Sequence, residues 1–521
     1  MVKWLKYIVL AANIVIFAVL AFTLPLTFEE NDDVMMAMIA NGSYSGTPDC
    51  HLVYINVIYG WVLMLLYGMT RAIEWYTLSF AVLHILSMTV LSYCILTTPN
   101  RATWEKVLWL LILYVLWARI IVALQFTTTA GLTALAGCVL LLRESKKARW
   151  IGVLFVIVAA LIRFMAAGLV GVLMAPIIIY TYRLEWRKYI AIVVMLTAVV
   201  ACRYTNGKIY DSDPEWKYYR EYNKLRAQVN DDPNAKLLEP ENLPEGIEWS
   251  DYEALLRFYP DPERIDLTAI RQLRAVVDNV SLKEQIMNVH LLDQYAVELC
   301  IILALLLMMI FTTGNRSKFT FLILYAVFMA VLMIYVSLDG ILKNRVFLCM
   351  LWPFLMTDFI LLPKTTDLKR KWGIVIALLV LCGWYGDQTN RDRIVNAHYR
   401  KVWTILQQPI LNYVPNDAYV ITCGTGMLIQ ASNPWHIWPY ECRKYTLGWA
   451  TWIPFNKALG HSYRAFLNEK VYLFTLNSYE EEDSRVQNVR RQLQHNYGIT
   501  TDLTWKVHNG RFALIQMRAK E

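Results

Sequence analysis

Charge is scarce in this chain: 18% of its 521 residues are Asp, Glu, Lys or Arg, against 57% in the hydrophobic class. That balance excludes a disordered polymer, which needs the opposite one. Glycine and proline are few, 22 and 17 residues, which excludes a collagen-like repeat. Nine cysteines are scattered with no Cys-x-x-Cys spacing, so neither a zinc-ribbon motif nor a disulfide mini-protein framework is present. Most of them (Cys94, Cys138, Cys202, Cys300, Cys349 and Cys382) lie within or at the ends of apolar runs, where a thiol acts as a small hydrophobe.

What is abundant is apolar sequence, and mean hydropathy is positive. Runs of about 15–22 residues with hardly a charge recur, the length a helix needs to cross a ~30 Å hydrocarbon layer. The net charge of +8 sits largely in short loops between these runs, Arg143 to Arg149, Arg183 to Lys188 and Lys364 to Lys371. Such placement suits cytoplasmic loops and speaks against nucleic-acid binding.

Lys3 and Lys6 precede the first run, Tyr7 to Leu26, which puts the amino terminus in the cytoplasm and the loop Thr27 to His51 outside. The run is longer than a signal-peptide core and lacks a clear small-x-small site, so it reads as an uncleaved anchor. Further spans are expected near Leu52 to Thr70, Trp75 to Thr97, Val107 to Leu124, Phe126 to Leu142, Trp150 to Ile162, Phe164 to Tyr182, Tyr189 to Tyr204, Leu292 to Thr312, Phe319 to Ser337, Val346 to Leu362 and Trp372 to Tyr385. Charge places the polar stretches 205–293 and 387–521 together on the outer side. It also requires one run in the first third to be re-entrant, interfacial or fused with its neighbour. The candidates are Val107 to Leu142, broken at Gln125, and the pair around Arg71 and Glu74. The expected architecture is an all-α polytopic membrane domain over 1–386, with about 11 to 13 spans, followed by an extracytoplasmic α/β domain.

That last segment shows a helical period from Arg391 to Leu411, strands at Ala418 to Thr422 and Val471 to Thr475, a charged helix from Ser478 to Tyr497, and a closing strand pair around Asp502 to Met517. Gly424-Thr425-Gly426 alone is weak evidence for a nucleotide loop. Trp435, Trp438, Tyr440, Tyr445, Trp449 and Trp452, with His436, Glu441 and Arg443, would suit sugar stacking or, equally, a domain core. Cys423 and Cys442 are a candidate disulfide outside the cell.

The densest acidic group is Glu29, Glu30, Asp32 and Asp33, followed by Val34 to Ala40, which reads as a short helix lying on the membrane surface. Carboxylates there suit a general base for a hydroxyl nucleophile, a divalent-cation ligand set, or simply the cap of that helix. The loop continues through Gly42-Ser43-Tyr44 to Asp49-Cys50-His51 and enters the second run.

A paired acid after the first span, an Ala-containing helix, Gly-x-Tyr and a His at the next span together resemble the first outer loop of the C-type (GT-C) membrane glycosyltransferases. That superfamily includes protein O-mannosyltransferases and lipid A aminoarabinose transferases. In place of the Pro-Pro-Leu that often follows the His, this chain has Leu52-Val53-Tyr54. The Arg345 to Pro353 run and the lone Arg163 are similar to further family features.

The resemblance implies transfer of a sugar from a polyprenyl-phosphate carrier to a glycan, lipid or protein on the outer face. Asp32 or Asp33 would be the base, and Arg345, Lys343 and Arg163 the contacts to the donor phosphate. Glu30, Tyr44, Asp49 and His51 are the candidate acceptor contacts. The candidate cofactor is a divalent cation, and membrane lipids are the expected surroundings. Read from the residues alone, a basic side chain at a span end equally serves to snorkel to headgroups. Arg119, inside a run, needs a partner or a water-filled cavity. A polysaccharide polymerase or ligase, a transporter or flippase, and a non-catalytic scaffold are the alternatives.

Overall fold

The structure, a computed structural model, describes residues 2–232, 235, 238–277, 291–312, 316–338, 342–361, 372–423, 432–437, 443–445, 448–476, 484–508 and 512–520. Helices carry most of it. In chain order they are α1 (Val2–Thr23), α2 (Asn31–Asn41), α3 (Val57–Met69), α4 (Trp75–Thr97), α5 (Thr103–Val122), α6 (Phe126–Leu141), α7 (Lys146–Ile162), α8 (Phe164–Tyr182) and α9 (Trp186–Asp211). Then follow α10 (Pro214–Asn230), α11 (Trp249–Leu256), α12 (Leu267–Val277), α13 (Leu291–Thr312), α14 (Arg316–Leu338), α15 (Asn344–Leu361) and α16 (Trp372–Tyr413).

Among the described residues six helices are long and apolar enough to cross a membrane: Trp4–Thr23, α4, α8, α9, Thr320–Ser337 and α15. Their outward faces expose large aliphatic side chains, such as Val15 and Val19 on α1 or Val193, Leu196 and Val200 on α9. A helix can present such a face to lipid because its backbone polar groups are already paired internally. The chain is a polytopic membrane protein.

That number is below the 11 to 13 spans expected, and α3 shows one reason. The chain is not helical from 51 to 56, so the run from Leu52 yields a 13-residue helix. At 1.5 Å per residue that is about 20 Å, short of a ~30 Å hydrocarbon layer. The run Val107 to Leu142 breaks at Gln125, whose side-chain oxygen caps α6 by accepting from Thr127 N at 2.5 Å and Thr128 N at 3.1 Å.

Nearly all of α6 is buried. A Cβ at Gly131 would lie 2.4 Å from Cys349 Sγ, and one at Gly137 would lie 2.8 Å from Gly152 O, so two glycines let α15 and α7 close on this helix.

One expectation is corrected. The helix after the acidic group does not lie on the membrane surface: every residue of α2 from Asp33 to Asn41 is buried. Its sequence, apolar on all sides, has no polar face to give to headgroups. The expected boundary at residues 386 and 387 falls inside one helix, since α16 runs 42 residues from Trp372 through to Tyr413. No proline interrupts that stretch before Pro409, so the apolar run and the polar helix join end to end.

The carboxyl-terminal unit holds β3 (Tyr419–Cys423), β4 (Arg443–Tyr445), β5 (Val471–Leu476), β6 (Thr501–His508) and β7 (Phe512–Ala519), with α17 (Ser484–Tyr497). Its sheet has the order β4-β3-β5-β7-β6, parallel on either side of β3 and antiparallel through β7. Ile421, Leu473, Val489, Leu493 and Ile515 form its core.

The polar stretch after α9 packs on this unit. Tyr259 accepts at its carbonyl from the Tyr463 hydroxyl, and Asp261 accepts from Tyr497 Oη at 2.7 Å. The two polar stretches therefore share one end of the molecule. Gly424 to Gly426, Cys442, Trp438, Tyr440 and Glu441, and the side chains of Cys423, Arg443 and Tyr445, lie outside the described residues.

Candidate active site

A two-residue parallel bridge sets the site. β1 (Thr27–Phe28) pairs with β2 (Ala123–Leu124), the segment between α5 and α6, and Glu29 N continues the pairing to Leu124 O at 3.0 Å. This pins the acidic segment beside the α6 start, and α2 begins two residues later with Asp32 and Asp33 in its first turn.

Successive helical residues point about 100° apart, so the two aspartates meet different surroundings. Asp33 points into the core. It is fully buried, and its Oδ1 accepts from Tyr76 Oη at 2.8 Å and from Phe126 N at 3.1 Å. Burial pushes its carboxyl well above the ordinary range, against the two hydrogen bonds. Asp32 is half-buried instead. Burial raises it too, while Arg345 pulls it down, Glu30 pushes it up, and Lys343 and Arg163 pull it down further. One carboxylate thus lies within electrostatic reach of all three expected phosphate contacts.

Arg345 opens α15 and forms an ion pair with Glu30. Lys343, exposed, has its Nζ 3.7 Å from Asp231 Oδ1. Both line a cavity of about 480 Å³ together with Glu29, Glu30, Arg119, Glu298 and Trp384. Burial raises the Glu29 carboxyl to about 7, against Arg345 and Arg119. Arg119 finds the partner its position demanded in Asp392 of α16.

Arg163 occupies the tight turn between α7 and α8, with its guanidinium 5.5 Å from the Tyr54 ring centre and 5.2 Å from that of Phe126. It lines a second, polar cavity of about 140 Å³ with Tyr54, Asn56, Cys202, Arg203 and Asn206. Among the described residues neither Arg163 nor Arg203 has a carboxylate within ion-pair distance. Arg203, exposed on α9 with its guanidinium 4.6 Å from the Phe164 ring centre, was not a sequence candidate. A lone Arg near a span end gives no local signal of what packs across from it.

The remaining loop residues lie elsewhere. Tyr44 is buried and donates to Asn456 Oδ1 at 3.0 Å, tying the loop to the carboxyl-terminal unit. His51 Nδ1 lies 2.8 Å from Asp49 Oδ1, and its ring stacks on Trp216 at 4.7 Å. Burial lowers the His51 pKa, but the hydrogen bond to Asp49 and the neighbouring Cys50 outweigh it and raise it to about 9. Donor atoms of Asp49, Cys50 and His51 lie within 4.8 Å of one another. The His51 to Asp49 hydrogen bond occupies two of these three atoms, and the trio is one ligand short of a tetrahedral set. Trp449 and Trp452 are held in aromatic contacts, with Tyr54 at 5.2 Å and Tyr218 at 5.0 Å respectively.

No family model matches the chain, and no curated protein matches it. Among solved structures the chain is similar to ArnT from Cupriavidus metallidurans in the apo state, at a TM-score of 0.43 and 14% identity. It is likewise similar to that protein bound to undecaprenyl phosphate, at 0.42 and 14%. Each match covers 98% of this chain and 97% of the other.

Proposed function

We propose that the chain is an integral membrane glycosyltransferase that takes a sugar from a polyprenyl-phosphate carrier and passes it to a hydroxyl of an acceptor on the outer face. The observation that carries the reading is the position of Asp32, half-buried and within electrostatic reach of Arg163 in one cavity and of Arg345 and Lys343 in another.

Asp32 takes the proton of the acceptor hydroxyl as its oxygen attacks the anomeric carbon. The bond from that carbon to the phosphate oxygen breaks, and the carrier leaves as polyprenyl phosphate. A carboxyl raised above its ordinary pKa by burial is a stronger base once ionised. Asp33, fully buried with its Oδ1 held by Tyr76 and Phe126, anchors α2, and the half-buried Asp32 beside it lies within electrostatic reach of Arg163 and Arg345.

The phosphate seat belongs first to Arg163 and Arg203. Guanidinium groups bind phosphate by charge-assisted hydrogen bonds, and among the described residues these two are not engaged by carboxylates. Arg345 is already paired with Glu30, so it serves to set the local field and to orient Glu30. The lipid tail has a route along the apolar outer faces of α8 and α9, where Met165, Val193 and Leu196 are exposed.

The reading is tested with purified protein in nanodiscs, radiolabelled polyprenyl-phosphate sugars and cell-envelope acceptor fractions. Label moves from lipid to acceptor in the wild type. No movement from any lipid-linked sugar, with uptake of the intact lipid into sealed vesicles instead, would establish a transporter. A chelator titration in the same assay separates transfer by guanidinium groups alone from transfer that also uses a divalent cation.

A further inference from the structure

The larger cavity holds two polar groups that the mechanism above does not use. Glu298, on the first turns of α13, is 7% exposed. Its Oε1 accepts from Trp384 Nε1 at 2.9 Å, and its Oε2 has no hydrogen-bond partner among the described residues. Tyr385, on α16, is 2% exposed, and its hydroxyl is equally without a partner. Both residues line the cavity, and the hydroxyl lies within electrostatic range of Glu298. Buried polar atoms left unpaired cost stability unless a ligand satisfies them.

The rest of the lining narrows the ligand. Three carboxylates (Glu29, Glu30, Glu298) face three cations (Arg119, Lys343, Arg345), with the amides Gln294, Asn344 and Gln388 and the rings of Tyr295, Trp384 and Tyr385 between them. Each of these cations is already paired with a carboxylate, Arg119 with Asp392, Arg345 with Glu30 and Lys343 with Asp231, which disfavours a phosphate and leaves Glu298 to accept from a hydrogen-bond donor. A hydroxyl both donates and accepts, so one hydroxyl serves a carboxylate oxygen and a phenol at once. A sugar ring offers adjacent hydroxyls and an apolar C–H face suited to aromatic rings. At about 480 Å³ the cavity falls in the range of small-ligand sites.

We infer that this cavity is a saccharide subsite in which Glu298 and Tyr385 together read one ring hydroxyl. It rests on the transferase reading for the role of the sugar, and on the cavity alone for its binding. The saccharide is either the sugar of the lipid-linked donor or a glycan acceptor. Trp384 holds Glu298 Oε1 by a hydrogen bond at 2.9 Å and leaves Oε2 for the ligand, so Glu298 selects among sugars by the position of that hydroxyl.

The test is saturation-transfer NMR on the purified full chain in nanodiscs, with the methyl glycosides of glucose, galactose, mannose, rhamnose, arabinose and N-acetylglucosamine as probes. At least one glycoside receives saturation. Glu298→Gln and Tyr385→Phe, both conservative in size, each weaken its binding by about 10-fold, as removal of a hydrogen bond to a charged or phenolic partner does. Thermal melts check that both variants are folded, and because the readout is binding of a free glycoside and not transfer, its outcome is independent of whether Asp32 is the base. Displacement by the polyprenyl phosphate carrying the same sugar assigns the subsite to the donor, and simultaneous binding assigns it to the acceptor. Silence of all six glycosides, or unaltered affinity in both folded variants, overturns the inference.

Discussion

The phenolic hydroxyl of Tyr76 lies 2.8 Å from Asp33 Oδ1, and with Phe126 N on the same oxygen it ties that fully buried carboxyl to the core. The adjacent, half-buried Asp32 is the one we assign to chemistry. Asp33→Ala is expected to leave two buried donors unpaired and to cost on the order of 1–3 kcal/mol for each. Asp33→Asn keeps an acceptor oxygen in place and is expected to cost less than half as much. Thermal or chemical unfolding of the two variants side by side checks the ranking.

Arg163→Gln and Arg203→Gln are each expected to weaken binding of a polyprenyl phosphate by about 10-fold or more, the scale of a lost charge-assisted hydrogen bond. The melting temperature should change little, because among the described residues neither guanidinium has an ion-pair partner to strand. Arg345→Gln should behave differently and lower stability, since it leaves Glu30 beside the cavity without its cation. Lipid binding measured by native mass spectrometry, set against melts, separates the two classes.

Glu29 carries a pH signature. Its carboxyl titrates at about 7 in the fold against 4.5 when exposed, so the folded state holds the proton more tightly. The contribution of this group to stability is therefore fully present below 4.5 and is lost as pH rises through about 7. Glu29→Gln removes that dependence. The variant is expected to melt higher than wild type at pH 8 and to match it near pH 4.5, and a wild type that melts lower than the variant at both would contradict this.

Asp261 clamps the polar stretch to the carboxyl-terminal unit, accepting from Tyr497 Oη at 2.7 Å, Glu263 N at 3.2 Å and Tyr463 N at 3.3 Å. Asp261→Ala should loosen this contact by on the order of 1–3 kcal/mol. Limited proteolysis should then cut the stretch 240–265 sooner than in wild type, with the membrane helices intact.

Much of the fold was legible because its signals are local. Long uncharged runs announce helices that face lipid, and strands such as Val471–Leu476 stand out against polar neighbours. The burial of α2 has a local signal too, since Val34 to Ala40 is apolar all round and offers no polar face to headgroups. What the sequence withheld depends on packing. Asp32 and Asp33 are neighbours of one type, and only the position of Tyr76 on α4 and of the α6 start tells them apart. Arg203 meets Arg163 only because α9 lies beside the turn between α7 and α8. The Glu298 and Tyr385 pairing joins residues from α13 and α16, and no spacing within either helix points to the other.

Asp32 is the centre of the account, and its direct test is turnover of a radiolabelled polyprenyl-phosphate sugar by Asp32→Asn and Asp33→Asn in one preparation, followed across pH. Loss of a positioned general base costs about 10²–10⁴-fold. Asp32→Asn is expected to fall by that amount while still folding and still binding the lipid. Asp33→Asn should keep activity within about 10-fold, and the wild-type rate should fall with decreasing pH through a midpoint above 3.8, the ordinary aspartate value. Full turnover in folded Asp32→Asn, with the loss falling on Asp33→Asn instead, would contradict the account.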